Sequence, residues 1–212
     1  MDPTHPSEPA ETAETSRLEA LWAGDFGDAY VERNRVLDER RGAFWEALIS
    51  RTGIASVLEI GCGQGGNLAP IARALDPGHV WGVDVNSAAL ERARRNAPGI
   101  NAVTSPGRFL PFRDRFVDLV FTVGVLIHQP DETLPLVMAE IVRCAGRFVL
   151  WGEYHAAKTE EVPYRGERGA LYRRDYGAIY ASLFPELRVR EEGFLGPDTG
   201  FDRVTWQLLE RP

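Results

Sequence analysis

Val57-Leu58-Glu59-Ile60-Gly61-Cys62-Gly63-Gln64-Gly65-Gly66 is an apolar run that breaks directly into glycines. Such a junction predicts a buried strand ending in a turn where backbone approaches a ligand without side-chain obstruction. Gly61, Gly63 and Gly66 also meet the spacing of dinucleotide-binding turns, although a plain strand-to-helix turn meets it too. Outward from the turn, short β-branched and apolar runs at residues 56–60, 80–85, 101–104, 117–122 and 147–151 alternate with helical stretches at 66–75, 87–96 and 132–144. The alternation predicts βαβ units, hence an α/β fold with a Rossmann-like, mostly parallel sheet and helices on both faces. Runs at 188–194 and 204–210 add two closing strands, for about seven in all.

At 212 residues and 44% hydrophobic, the chain suits one α/β domain. Residues 1–15, rich in Pro, Glu and Thr, predict a disordered tail. The single domain then covers 16–212, with two N-terminal helices over 16–52 serving as a lid, a cofactor-binding core over 53–153, and a substrate-facing insert with closing strands over 154–212. A net charge of −7 argues against a nucleic-acid partner, since such a protein must gather cations against phosphates. Cys62 and Cys144 have neither disulfide nor zinc spacing, and no long uninterrupted apolar run occurs. The expectation is a cytoplasmic protein with no signal peptide, membrane span or metal, acting on a small molecule. Nothing in the sequence specifies an oligomeric state.

Two carboxylates give the glycine turn a direction. Asp84 ends the second strand, where an acid can accept hydrogen bonds from both ribose hydroxyls of a nucleoside. Glu59 stands just before the turn, where a dinucleotide would bring its pyrophosphate, and like charges there repel. The methionine end of S-adenosylmethionine instead carries an ammonium and a sulfonium, which an acid favours. The sign therefore points to S-adenosylmethionine over NAD.

Val57 to Gly66, the strand ending in Asp84, and Asp118-Leu119-Val120-Phe121-Thr122 resemble the first, second and fourth motifs of class I methyltransferases. More narrowly, Leu21 to Tyr30, Gly124-Val125-Leu126-Ile127-His128, Glu153-Tyr154 and Val162 to Gly166 resemble the methylases associated with pseudaminic acid biosynthesis. The resemblance implies methyl transfer from S-adenosylmethionine to a small polar metabolite, leaving S-adenosylhomocysteine. On it, the cofactor set is Glu59, Gly61, Cys62, Gly63, Asp84, Val85, Thr122 and Val123. Many class I enzymes carry an acid soon after the third strand, but this chain reads Thr104-Ser105-Pro106-Gly107-Arg108-Phe109. Adenine contacts are therefore expected from the backbone of Gly107 or Arg108, with Phe109 supplying an apolar face.

Residues just past the fourth and fifth strands are the first to consider for chemistry. His128 can take a proton near neutral pH or orient an acceptor, unless it is a packed histidine bonded to backbone. Glu153 can deprotonate or bind an acceptor, or merely cap its strand. Tyr154, Tyr164, Arg165 and Arg173 are the substrate-binding candidates, the arginines as clamps for a carboxylate or phosphate, against the alternative of a solvated loop. Tyr30 and Arg33, one helical turn apart, share a face able to cover the methionine carboxylate. Trp22 and Phe26 are expected to pack, and Cys62 to be a small apolar filler. The competing readings are an NAD-dependent oxidoreductase and a non-catalytic S-adenosylmethionine-binding partner.

Overall fold

The computed structural model describes residues 13–34 and 37–212. The predicted disordered tail lies outside the described residues over 1–12, while residues 13–15 already belong to the first helix. Three helices, not two, precede the sheet: α1 (Ala13–Ala23), α2 (Asp25–Arg33) and α3 (Arg41–Thr52). Gly24 breaks the first pair, and α3 ends at Gly53 in the left-handed conformation (φ 63°) that glycine adopts without steric cost.

After Gly53 the chain alternates as its apolar rhythm predicts. The parallel strands are β1 (Val57–Ile60), β2 (Val80–Asp84), β3 (Asn101–Thr104), β4 (Val117–Val123) and β5 (Ala145–Glu153). Between or beside them run α4 (Leu68–Ala74), α5 (Ser87–Asn96) and α6 (Leu134–Cys144). A small hairpin, β6 (Glu160–Glu161) with β7 (Tyr172–Arg173), forms a strap, followed by α7 (Tyr176–Leu183), β8 (Arg188–Leu195) and β9 (Val204–Glu210). The described residues give a seven-stranded sheet in the order β3-β2-β1-β4-β5-β9-β8, with β9 antiparallel to both its neighbours.

Alternate residues of each strand face opposite sides of the sheet. Val57, Leu119 and Phe121 pack with Trp45, Leu48, Leu68, Ile71 and Leu90 on one face. Leu58, Ile60 and Val120 pack with Met138, Ile141, Trp151, Tyr176 and Tyr180 on the other. Because β2 and β3 extend to one side of β1 while β4 and β5 extend to the other, strand order reverses between β1 and β4. A crevice opens there beyond the strand ends, and α1 and α2 lie across it.

Candidate functional site

One cavity of about 280 Å³ occupies this crevice. Its floor is the glycine turn. Gly61 is left-handed (φ 67°), and a Cβ there would stand 2.5 Å from Cγ2 of Val125, so only glycine lets the turn pack against the segment after β4. Gly63 is also left-handed (φ 52°), but a Cβ there would meet nothing within 4 Å. That open space belongs to the cavity, into which Gly63 presents bare backbone.

Asp84 ties the turn to β2: its carboxylate accepts from the Gly63 amide at 2.7 Å and the Asn86 amide at 2.9 Å. Burial raises its pKa, and those amide bonds offset the rise. Asn86 caps α5 by accepting from the Ala89 amide at 2.8 Å, and its Nδ2 donates to the carbonyl of Trp22 and to Asp28, fastening the helical cover to the sheet.

Glu59 is 2% exposed. Its Oε1 accepts from Asn67 Nδ2 at 2.6 Å, while Oε2 is buried without a hydrogen-bond partner among the described residues. Burial pushes its pKa up to about 8 against the opposing pull of Asn67 and Arg41. Asn67 passes the connection on, accepting at Oδ1 from Arg41 Nη1 at 3.2 Å and from the Trp45 indole at 3.3 Å. Arg41 also donates to the Gly200 carbonyl at 2.8 Å. An acid with a free buried oxygen and a cation thus stand together in one arm of the cavity, matched to a zwitterionic amino-acid group. The other arm is walled by Val85, Asn86, Ser105, Gly107 and Val137.

His128 follows β4 on a short 3-10 turn, Leu126–His128. Its Nδ1 lies 2.5 Å from the Ala170 carbonyl, which can only accept, so Nδ1 carries the proton and Nε2 the lone pair. Burial lowers the imidazole pKa to about 4, leaving the ring neutral at pH 7. Its ring centroid is 4.5 Å from that of Trp22.

The structure gathers Tyr30, Glu59, Gly61, Cys62, Gly63, Asp84, Val85, Gly107, Val123 and His128 around the cavity. The other expected site residues lie elsewhere. Arg33 is exposed and does not line the cavity, although Tyr30, Val31 and Asn34 of the same segment do, and Arg41 from the next helix takes the cation's place. Arg108 turns away to a buried ion pair with Glu19 on α1 at 2.8 Å. Phe109 and Thr122 contribute nothing to the wall, Thr122 being wholly buried. Glu153, expected as a candidate base, does not line the cavity: fully buried, it accepts from the amides of Val125 (3.0 Å) and Ile127 (3.3 Å) and so holds the segment carrying His128. Burial pushes its pKa up to about 7.

Tyr154 gives its hydroxyl to Asp202. Tyr164 reaches the cavity only indirectly, by stacking behind Trp22. Arg165 and Arg173 are exposed, whereas the adjacent Arg174 is buried and bonds Asp131 at 2.7 Å and the Gln129 carbonyl at 3.0 Å, anchoring the strap. Tyr154 and Lys158 stand four residues apart, a spacing that suits hydride transfer, but the committed hydroxyl and the exposed lysine keep both out of the cavity. Cys62 is buried at the cavity edge: Gly82 leaves room for its sulfur, and burial raises its pKa. Sequence reasoning missed Arg41, Asn67, Asn86 and Ser105; of these, Asn86 was legible as an N-cap before Ser87.

Residues 57–146 match a family model described as "Methyltransferase domain". The chain aligns over 96% of its length, and 99% of the other chain, with magnesium protoporphyrin IX methyltransferase from Synechocystis with bound S-adenosylmethionine, at TM-score 0.70 and 17% identity. This chain has the fold of the S-adenosylmethionine-dependent methyltransferases. The methyltransferase fold recurs, at 18% identity and TM-score 0.70, in the 1,6-didemethyltoxoflavin N1-methyltransferase of Burkholderia thailandensis, covering 100% of this chain and 97% of that one. Among curated relatives, a fatty-acid O-methyltransferase of Mycolicibacterium smegmatis is 39% identical over 96 residues, 44% of this chain. The chain spans only about a third of the length of the curated relatives it matches, 32% to 37%. Among the described residues no helix is long and apolar enough to cross a membrane, and no cluster of His, Cys, Asp or Glu is placed to hold a metal.

Proposed function

We propose that this chain is an S-adenosylmethionine-dependent methyltransferase that methylates an oxygen or nitrogen atom of a small molecule in the cytoplasm. One observation carries the reading: Glu59, whose buried Oε2 has no hydrogen-bond partner among the described residues, lines the same cavity as Asp84 and the bare backbone of Gly63. This set fits a cationic, phosphate-free nucleoside. A pyrophosphate beside the turn would oppose Glu59, which is why NAD is the poorer fit; Asp84 suits the ribose of either ligand.

Glu59 would take the ammonium, Arg41 and Tyr30 the carboxylate, Asp84 the ribose hydroxyls, and Gly107 with Ser105, Val85 and Asn86 the adenine. When bound, the sulfonium supplies an activated methyl group and a ready leaving group. The protein's share is therefore alignment and exclusion of water. The lid helices close over the cavity, and Glu153 holds Val125 and Ile127 so that His128 reaches it. His128, through Nε2, orients the acceptor and takes its proton.

Titration calorimetry with S-adenosylhomocysteine and with NAD tests the reading. Binding of S-adenosylhomocysteine alone is the expected result; binding of NAD alone ends it. Labelled methyl transfer to an acceptor distinguishes an enzyme from a protein that only binds the cofactor.

A further inference from the structure

Trp22 is the hub of a five-ring cluster. The ring centroids of His128, Phe26, Tyr30 and Tyr164 lie 4.5, 5.2, 5.5 and 6.4 Å from its own. Tyr164 is nearly parallel to it, at 30°, and also contacts His128 at 5.5 Å. These rings come from the helices α1 and α2, the turn after β4 and the tip of the strap, segments far apart in sequence that converge here. Trp22, Tyr30 and His128 line the cavity. The indole N–H of Trp22 is buried and has no acceptor among the described residues.

The charged residues of the wall are committed elsewhere: Glu19, one turn before Trp22 on α1, pairs with Arg108 at 2.8 Å, and Asp38 pairs with Arg40. Glu59 and Arg41 belong to the amino-acid arm, and Asp84 to the turn. The arginines expected to clamp a carboxylate or phosphate, Arg165 and Arg173, are exposed.

Resting on the methyl-transfer reading above, we infer that the acceptor is a planar aromatic or heteroaromatic molecule whose hydroxyl or ring N–H faces His128, its ring held by Trp22 and Tyr30, with the strap residue Tyr164 stacked behind Trp22 and fixing that indole in place. Offset or edge-on ring contacts at centroid distances of about 4.5–7 Å are what such a wall offers, and the free indole N–H offers a hydrogen bond to an oxygen on the ring. In the transfer, a lone pair of the acceptor oxygen or nitrogen forms the bond to the methyl carbon while the carbon–sulfur pair leaves with sulfur. The acceptor's proton passes to Nε2 of His128 and on to water. His128 is a weak base, which suits a phenol-like hydroxyl with a pKa near about 10 far better than an aliphatic one.

The test is ligand-observed saturation-transfer NMR on the protein loaded with S-adenosylhomocysteine. Catechol, 8-hydroxyquinoline and xanthine are the aromatic probes; glucosamine, ethanolamine, glycine and octanoate are the aliphatic ones. At least one aromatic probe should bind, and no aliphatic one. Tyr164→Ala should weaken the aromatic probe by about fivefold or more, Tyr164→Phe by no more than about twofold, and both should keep the affinity for S-adenosylhomocysteine. Preferential binding of aliphatic probes, failure of all three aromatic probes, or indifference to Tyr164→Ala overturns the inference. If S-adenosylhomocysteine itself does not bind, the methyl-transfer reading falls first and this inference with it.

Discussion

At the scale of single residues, Gly61 and Gly63 look interchangeable in sequence, yet the structure gives them separate tasks. Gly61→Ala must force a left-handed φ and push a methyl into Val125, 2.5 Å away, so it should cost about 2 kcal/mol or more of stability in urea unfolding. Gly63→Ala meets no atom; its stability loss should stay nearer to about 1 kcal/mol. Its larger effect should be on S-adenosylhomocysteine, weakened about tenfold or more in calorimetry because the new methyl fills ligand space. Glu59 carries a pH prediction. Its pKa of about 8 in the free protein means that a cationic amine binds the ionised form and must expel a proton below that pH. Affinity for S-adenosylhomocysteine should therefore rise from pH 6 to pH 8, by up to about tenfold per unit, and Glu59→Gln should bind weakly with a flat profile. A flat profile in the unmodified protein would refute the assigned role. The importance of Glu59 was legible from its place before the turn, because strand burial and turn geometry are local. Arg41 was not legible, since nothing in its own helix marks it as facing Asn67 and Glu59.

At the scale of elements, the end of β5 holds the segment after β4 through Glu153. Its position at a strand end was readable, but the direction of its carboxylate depends on β4 and β5 being neighbours. Glu153→Ala leaves the amides of Val125 and Ile127 without an acceptor, at about 1–3 kcal/mol each. Glu153→Gln, which keeps one acceptor oxygen, should lose less. Linkage gives the sign with pH: the folded-state pKa of about 7 stands above the ordinary 4.5, so the folded chain holds the extra proton between these values. The resulting contribution is full below pH 4.5 and is lost as pH rises through 7. Denaturant unfolding from pH 4.5 to 8 should show a decline in the native protein that is smaller in Glu153→Gln. The N-terminal region divides into three helices rather than two for a similar reason. Its apolar spacing marks helices, but it does not show that α3 begins as a separate element at Arg41.

At the scale of the molecule, α1, α2 and the glycine turn wall one cavity, and the strap packs against them through Tyr164. A ligand that binds only this closed arrangement must stabilise the whole chain: S-adenosylhomocysteine at a hundred times its Kd should add about 2.7 kcal/mol to unfolding, seen as a rise in Tm. A lid that unfolded independently would show the gain as protection from proteolysis in α1 and α2 without a rise in Tm. The sequence alone determined the strand and helix alternation, the parallel core, the glycine turn and the two acids that flank it. Each of these follows from local periodicity, backbone sterics or charge sign within a few residues. Only the tertiary structure decided that Arg41 and not Arg33 lines the cavity, that the Glu153 carboxylate accepts from the amides of Val125 and Ile127, and that Trp22, Tyr164 and His128 meet. Those outcomes depend on side-chain direction across separate elements, some of them more than a hundred residues apart, which no local pattern encodes.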